Sequence, residues 1–171
     1  MIIRRSKLSD IEAIMECIAD AQALLASLGV DQWQDGYPTQ SIIREDIARG
    51  ESFVLEQQGR VVATAVISLA EEPTYATIEG GSWLCDERYV VIHRLAARAE
   101  ARGGVAKCFF NYAEALGNEH NVFSIRVDTH TDNKIMMHLL SAMNYTRCGI
   151  ITLTSGAKRV AFQKIWQTTK I

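Results

Sequence analysis

The sequence predicts a mixed α/β fold with a central sheet of about seven strands flanked by helices. Apolar residues recur at helical spacing in some segments and form β-branched runs in others. Strand-like segments in the first half are joined by a short turn, which predicts antiparallel pairing. Helical segments separate the strands of the second half, which predicts crossovers and parallel pairing. We therefore expect a sheet that is antiparallel at first and parallel around the strand that ends at Ala97.

The first half of the chain predicts a strand, two helices and a hairpin. The opening stretch MIIRR predicts a strand, and a capping box formed by Ser9 and Glu12 predicts a helix that ends at Gly29. A second helix is predicted from Thr39, as its N-cap, to Gly50. The runs SFVLEQ and RVVATAVISL, joined by a turn at QQG, predict two antiparallel strands.

The second half predicts a strand, a helix, a strand, a helix and a closing hairpin. RYVVIHRLAA is typical of a strand, and the apolar face that begins after the Gly103–Gly104 pair predicts a helix ending at Gly117. The remaining elements are predicted, in chain order, over NVFSIRVDTH, NKIMMHLLSAM, YTRCGIITL and RVAFQKIW. An acidic, irregular stretch, AEEPTYATIEGGSW, precedes the fourth strand.

Length and composition favour one domain, residues 1–171, with a hydrophobic core. A net charge of −2 and a pI near 6.1 provide no basic field for a nucleic acid. The sequence has no export signal and no apolar run long enough to span a membrane, so we expect a cytoplasmic protein without a membrane partner. The four cysteines share no metal-type spacing with the histidines, which predicts reduced core thiols and no metal site.

A pair of glycines, Gly103 and Gly104, lies between the predicted fourth strand and the helix that follows it. The first N–H groups of a helix lack intrahelical partners, and glycine lets the main chain approach a bound anion closely. Arg102 and Lys107 flank the pair and carry positive charge. The stretch therefore fits a phosphate-binding loop. Alternatively, the glycines only shape a tight turn from strand to helix.

The sequence around this pair resembles the GNAT superfamily of N-acetyltransferases. The acetyl-coenzyme A signature of that family is Gln or Arg, two residues, Gly, one residue, then Gly or Ala. Here Gly104 and Ala106 match, whereas Ala101 replaces the Gln or Arg. RRSKLSDIEAIMECI resembles the family's opening strand and helix, and DTHTDNKIMMHLLSAMNYTRCGI resembles the segment in which Asn133 opens the last helix. The order of the elements matches the family over nearly the whole chain.

The resemblance implies a GNAT-like fold whose sheet is splayed between its fourth and fifth strands, with acetyl-coenzyme A in the gap. It implies that the backbone of residues 95–97 bonds the pantetheine arm and that the loop over residues 102–107 holds the pyrophosphate. The implied cofactor-binding residues are Leu95, Ala96, Ala97, Arg102, Gly103, Gly104, Val105, Ala106, Lys107 and Asn133. The implied activity is direct transfer of the acetyl group to a primary amine of a small molecule or peptide.

Acetyl transfer requires a base, because an alkylamine has a pKa of about 10 and must lose a proton before it attacks a thioester. His93 is the favoured base, since strand alternation places it on the same face as Leu95. Alternatively, His93 is a half-buried histidine that only hydrogen-bonds. Asp128, with His130 beside it, is a further catalytic candidate or a turn device before the last helix. Glu79 is another candidate base.

The sequence departs from the family at the general acid. Many members carry a tyrosine where this chain has Leu140, so the proton for the leaving thiolate has no assigned source. Together with Ala101, this departure leaves open an alternative function, a catalytically degenerate module that binds or senses acyl-coenzyme A.

Two tryptophans near carboxylates, Trp33 and Trp83, are candidate walls of the acceptor site. An aromatic face attracts a cationic amine, and neighbouring carboxylates add charge pairing. For Tyr37, Glu71 and Glu72 we favour lid packing and a solvated turn instead. Exposed strand edges favour a homodimer.

Overall fold

The structure is a computed structural model that describes residues 1–101 and 103–167. The described residues form seven strands and four α-helices. The strands are β1 (Ile2–Arg5), β2 (Ser52–Gln57), β3 (Arg60–Ser68), β4 (Val90–Ala97), β5 (Ser124–His130), β6 (Thr146–Thr152) and β7 (Lys158–Ile165). The α-helices are α1 (Ile11–Ser27), α2 (Gln40–Ala48), α3 (Val105–Glu119) and α4 (Lys134–Ala142). Their order along the chain confirms the predicted order.

The strands form one mixed sheet in the order β1-β2-β3-β4-β5-β7-β6. β1 pairs with β2, and β2 with β3, in antiparallel register. β4 and β5 pair in parallel, and β7 lies antiparallel between β5 and β6. The predicted sheet, antiparallel at first and parallel at β4, is confirmed.

The predicted capping box at the start of the first helix is wrong. Asp10, rather than Ser9, is the N-cap of α1, and a short 3-10 turn over Leu8–Asp10 precedes it. The Asp10 carboxylate accepts hydrogen bonds from the Lys7 backbone N–H at 2.7 Å and from the Arg4 guanidinium at 2.8 and 3.0 Å. These bonds lower the pKa of Asp10, the Arg4 bond most of all. The Asp10 carboxylate therefore ties β1 to the 3-10 turn that precedes α1, and it makes no side-chain hydrogen bond that caps α1 itself.

Of two other predicted helix ends, the start of α2 is confirmed and the end of α3 is wrong. Thr39 caps α2 as predicted, because its Oγ1 accepts from the Ile42 N–H at 3.4 Å. Gly117 does not end α3, which continues to Glu119. A Cβ at Gly117 would lie 2.6 Å from the carbonyl oxygen of Val122, so this glycine permits a close backbone approach rather than a helix end.

Contacts divide the chain into two compact units. Unit 1 contains Met1–Ser68 and Ile92–Tyr112, and unit 2 contains Leu69–Val91 and the chain from Ala113 onward. The core of unit 1 is a cluster of Ile11, Ile14, Cys17, Ile18, Ile43, Val54 and Ala96. The core cluster of unit 2 is Tyr75, Val91, Ile151 and Ala161. The single domain over residues 1–171 stays a prediction.

The four cysteines are free of disulfides, but only two of them are core residues. Cys17 and Cys148 are buried, whereas Cys85 and Cys108 are half-buried, so the predicted core position is wrong for the latter two. Burial raises the pKa of the Cys17 thiol to about 11. That thiol is therefore not a nucleophile at neutral pH. None of the described helices combines the length and the apolar character that a membrane span requires.

Candidate active site

β4 contains a strained residue where the resemblance places the reaction. Arg94 has φ +50°, a left-handed conformation that costs a non-glycine residue about 1 to 3 kcal/mol. The parallel ladder between β4 and β5 consists of two register pairs, Val90 with Ile125 and Val91 with Arg126. A left-handed residue inside a strand is a feature of β-bulges, which redirect the chain. The gap between β4 and β5 stays a prediction.

His93 and Leu95, on either side of Arg94, are both half-buried in β4. Because Arg94 is left-handed, the regular alternation from which we placed these two side chains on one face is interrupted. The catalytic role of His93 therefore stays a prediction that rests on its position in the chain. Ala96 is buried in the core of unit 1, and Ala97 is half-buried at the strand end.

The segment after β4 is anchored at its beginning. The Arg98 backbone N–H donates to the Val62 carbonyl at 2.9 Å, which continues the pairing with β3. Asp20 of α1 accepts a hydrogen bond from the Ala99 N–H at 3.0 Å, and its carboxylate forms an ion pair with Arg98, at 2.9 Å from Nε. The loop that follows thus starts from a fixed point, while Arg102 lies outside the described residues.

Gly103 and Gly104 have φ of +106° and +101°. L-residues rarely adopt these angles, so glycine is required by conformation. A Cβ at either position would meet no atom within 4 Å, so crowding is not the reason. Gly104 accepts the first intrahelical bond of α3, from the Cys108 N–H at 3.1 Å. The N–H groups of residues 105–107 are then those that a helix leaves without an intrahelical partner.

This geometry fits a phosphate group. The backbone is bare and open at both glycines, and the start of a helix favours negative charge by about 0.3 to 1 kcal/mol. Lys107, on the first turn of α3, is exposed and adds positive charge. Val105 is buried and fixes the first turn to the core, whereas Ala106 is half-buried. Asn133 caps α4, since its Oδ1 accepts from the Met136 N–H at 3.1 Å, and its cofactor contact stays a prediction.

Asp128 on β5 is paired with a tyrosine rather than with the neighbouring histidine. Tyr75, which is 1% exposed, donates its hydroxyl to Asp128 Oδ1 at 2.7 Å. Burial raises the pKa of Tyr75 well above its ordinary value, and the nearby Asp128 adds to the effect, so Tyr75 stays a proton donor. His130 instead accepts from the Asp132 N–H at 3.1 Å, which is the turn device that we considered for it. Asp128 is thus a half-buried carboxylate held by a buried hydroxyl.

Glu79 is exposed and has a local structural role. Its backbone forms an antiparallel bridge with Ile150, with N···O distances of 2.8 and 2.9 Å. Its carboxylate lies 3.1 Å from Lys158 Nζ. Catalysis by Glu79 stays a prediction. Among residues 1–101 and 103–167, no three metal-ligating side chains lie close enough together to hold a metal ion.

Trp83 already packs against a cation of its own chain. The guanidinium of Arg126 lies 4.3 Å from the centre of the Trp83 ring and 4.1 Å from that of Tyr89. Trp83 Nε1 donates to the Tyr75 carbonyl at 2.9 Å, and Arg126 Nη2 donates to the Cys85 carbonyl at 2.6 Å. Trp83 is therefore part of the packing of unit 2. An acceptor amine could contact only the part of the Trp83 ring that Arg126 does not cover.

The loop between α1 and α2 is held in place by a charged network that the sequence analysis missed. Asp46 of α2 is fully buried and accepts two hydrogen bonds from Arg94 at 2.8 Å each, and one more from Arg49. Arg94 also donates to the hydroxyl of Tyr37 at 2.7 Å. Trp33, in the same loop, has φ +64° and packs against the core of unit 1. Asp46 lies on the apolar stripe of α2. A charged residue at a position that the helical periodicity predicts to be buried was the sequence signal that could have indicated a buried ion pair.

Comparison with known proteins identifies the class. The family model described as the acetyltransferase (GNAT) family matches residues 18–145. A GNAT-family acetyltransferase from Streptococcus agalactiae 2603 is 35% identical and has a TM-score of 0.86, with 98% of this chain and 96% of that chain covered. The sheet, the glycine loop and these matches define an acetyltransferase fold.

The chain belongs to the GNAT family of acetyltransferases. Two more distant structures share the fold. The PaiA N-acetyltransferase from Thermoplasma acidophilum, solved in complex with coenzyme A, is 11% identical with a TM-score of 0.70, covering 96% of this chain and 98% of that one. The ribosomal-protein-alanine N-acetyltransferase from Brucella melitensis is 16% identical with a TM-score of 0.65, covering 97% and 100%. No protein of curated function matches the sequence.

Proposed function

We propose that this GNAT acetyltransferase transfers the acetyl group of acetyl-coenzyme A to a primary amine of a small molecule or peptide by direct attack. The amine nitrogen forms the new amide bond as the thioester C–S bond breaks, and the thiolate leaves with a proton from solvent or from a side chain. Family membership supports the acetyl transfer, because the GNAT family uses acetyl-coenzyme A. The amine acceptor and the residue roles are the proposed part.

The observation that carries the proposal is the glycine pair before α3. The φ angles of +106° and +101° favour glycine, which has no side chain, at positions 103 and 104, and no atom lies within 4 Å of either Cβ position. We assign the diphosphate of acetyl-coenzyme A to the N–H groups of this turn, with Lys107 as an additional positive charge. The backbone of residues 95–97 is assigned to the pantetheine arm. Arg102 and Asn133 complete the proposed cofactor site.

His93 is the proposed base. It is half-buried in β4 and lies next to the strained Arg94, at the strand end to which we assign the acetyl group. A neutral imidazole accepts a proton from an ammonium group directly or through one water molecule. Asp128 is the second candidate, because a carboxylate held by Tyr75 at 2.7 Å is fixed in direction.

The acceptor is proposed to lie beside the loop between α1 and α2. Trp33 offers an aromatic surface there, and Asp31 and Asp35 on the same loop are exposed carboxylates. Such a surface suits a cationic amine. Trp83 is a weaker candidate wall, since Arg126 lies 4.3 Å from its ring centre.

Two specific observations favour the alternative, a module that binds acyl-coenzyme A without turnover. Ala101 replaces the usual Gln or Arg of the signature, and the position of the usual tyrosine is Leu140, which is fully buried. Release of free thiol from acetyl-coenzyme A, measured with a panel of primary amines, separates the two functions. Amine-dependent release supports the transferase, whereas tight binding without release for every amine supports the module.

We also propose a homodimer and a cytoplasmic location. The edge strand β1 supports the homodimer because a sheet edge offers main-chain groups to a second copy, whereas the edge of β6 is partly covered by the Glu79 bridge to Ile150. Light scattering coupled to size-exclusion chromatography tests it, and a monomer mass at every concentration would contradict it.

A further inference from the structure

The network around Asp46 is unusual for a protein interior. Asp46 is 0% exposed and Arg94 is 14% exposed by its side chain, so both charges are largely removed from water. Burying an ion pair carries a desolvation cost that a well-packed apolar pair of the same volume avoids. Burial raises the pKa of Asp46, and the guanidinium groups of Arg94 and Arg49 oppose that effect. The free energy of folding therefore does not explain why unit 1 contains this ion pair. The pair is explained if its hydrogen bonds hold the residues around it in fixed positions.

Arg94 fixes geometry in two ways at once. Its side chain makes three hydrogen bonds of 2.7 to 2.8 Å, two to Asp46 and one to the hydroxyl of Tyr37. Its backbone holds the left-handed φ of +50° inside β4. A strained backbone persists only where surrounding contacts over-determine it, and these bonds supply such contacts.

The other end of the network is the loop over residues 30–39. The carbonyl of Tyr37 accepts from Gln22 Nε2 at 2.9 Å, so both the backbone and the side chain of Tyr37 are held. Trp33 packs on the core cluster of unit 1. The loop is thus fixed to α1 through Gln22, and through Arg94 to β4.

We propose that Arg94 is a positioning residue that couples the acceptor loop to the reactive part of β4. Through Tyr37 it holds the loop that carries Trp33, and through its own backbone it holds His93 and Leu95. The inference rests on the proposed function, because it concerns where an acceptor amine meets the base. A shift of the loop then moves the amine relative to His93 while leaving the glycine turn before α3 in place.

Tyr37→Phe tests the coupling, because it removes only the hydroxyl that Arg94 uses. The matched control is Tyr112→Phe in the same unit, where the tyrosine ring packs 5.4 Å from that of Phe53. No hydrogen bond of the Tyr112 hydroxyl occurs among the described residues, so its loss is expected to have little effect. Amide hydrogen exchange, followed by mass spectrometry of peptides, is measured for the free wild-type protein and both variants. Steady-state rates are measured with the most active amine of the panel.

We expect Tyr37→Phe to raise amide exchange about 3- to 10-fold in both the 30–39 and the 93–97 segments, as the loss of one hydrogen bond predicts. We expect the KM for the amine to rise by a similar factor, with the KM for acetyl-coenzyme A within twofold of wild type. Exchange that rises in the loop alone, or equally in Tyr112→Phe, overturns the coupling. If amide exchange rises in both segments but the KM for the amine and the kcat stay unchanged, the role of Arg94 in positioning the acceptor is overturned.

Failure of the proposed function has a different signature. If the wild-type protein acetylates no amine, the proposed function and the positioning role in acetyl transfer are both rejected. The exchange measurement still decides the physical coupling between Tyr37 and β4, since it uses neither an amine nor acetyl-coenzyme A.

Discussion

Replacing Gly104 with alanine is the sharpest perturbation of the proposed cofactor loop. Gly104 has φ +101°, and a Cβ there would meet no atom within 4 Å. An alanine therefore clashes with nothing, but it rarely adopts the required angle. In the free protein the open loop can relax to another φ, whereas cofactor binding would require the strained one.

The magnitude follows from that difference. An unfavourable φ of this kind costs about 1 to 3 kcal/mol. If the free loop relaxes, this cost appears in the binding equilibrium, which corresponds to a Kd for acetyl-coenzyme A about 5- to 150-fold weaker. The KM for acetyl-coenzyme A should rise with it. The kcat at saturating cofactor should stay near wild type, because the diphosphate is held equally before and during the reaction.

Gly59→Ala is the matched control. Gly59 also has a positive φ, +75°, with no atom within 4 Å of its Cβ position, but it lies in the turn between β2 and β3. It should lose stability without loss of cofactor affinity. Isothermal titration gives the Kd of both variants, and thermal unfolding gives their Tm. A Kd for Gly104→Ala within twofold of wild type would refute the assignment of the diphosphate to this turn.

Three further predictions concern packing, pH and the base. Gly117→Ala should lower the free energy of unfolding by about 1 to 2 kcal/mol, because the Cβ would lie 2.6 Å from the Val122 carbonyl oxygen and overpacking outweighs the gain in helix propensity. Asp10→Asn should cost about 1 to 3 kcal/mol at pH 7, since it removes a carboxylate bound to Arg4. The pKa of Asp10 is lowered from its ordinary value of 3.8, so the stability it contributes is present above pH 3.8 and is lost as the pH falls through the folded-state pKa. His93→Ala should lower kcat about 10²- to 10⁴-fold with little change in the Kd of acetyl-coenzyme A.

Each of these predictions has its own control or contrary result. The control for Gly117→Ala is Asn111→Ala, at an exposed position of α3, which should leave the free energy of unfolding unchanged or raise it. A Gly117→Ala protein as stable as wild type would contradict the prediction, because it would show that the backbone at Val122 moves away from the added Cβ at no cost. For Asp10→Asn, urea unfolding at several pH values should give curves that converge with wild type in acid, and a constant difference down to pH 2 would contradict the carboxylate origin. Equal losses of rate and of cofactor affinity in His93→Ala would reject its role as the base.

The elements were predictable because their signals are local. The run SFVLEQ, the turn and the run RVVATAVISL are contiguous, and the turn residues Gln58 and Gly59 both have the positive φ that a type I′ hairpin turn requires. Thr39 caps α2 by accepting a hydrogen bond from the N–H of Ile42, three residues later in the chain and so within one helical turn. Gly103 and Gly104 were recognised for the same reason, since their place between a strand and a helix is visible in the sequence.

The parts that were missed depend on contacts between distant segments. Asp46 and Arg94 are 48 residues apart in the chain, and only the fold brings the carboxylate to the guanidinium. The partner of Asp128, Tyr75, belongs to the acidic stretch in which periodicity predicts no element. Gly117 was assigned to a helix end because glycine is common there, whereas the contact with Val122 after the helix sets its role. Local patterns thus predict the scaffold, and pairing across the sequence decides what each polar side chain does.

The central claim is that the backbone N–H groups of the turn before α3 bind the diphosphate of acetyl-coenzyme A. A crystal structure of the protein with coenzyme A tests it most directly. We predict diphosphate oxygens at hydrogen-bonding distance, about 2.7 to 3.2 Å, from N–H groups of residues 104–107. A well-defined diphosphate bound elsewhere on the chain, with this turn left to solvent, would contradict the account.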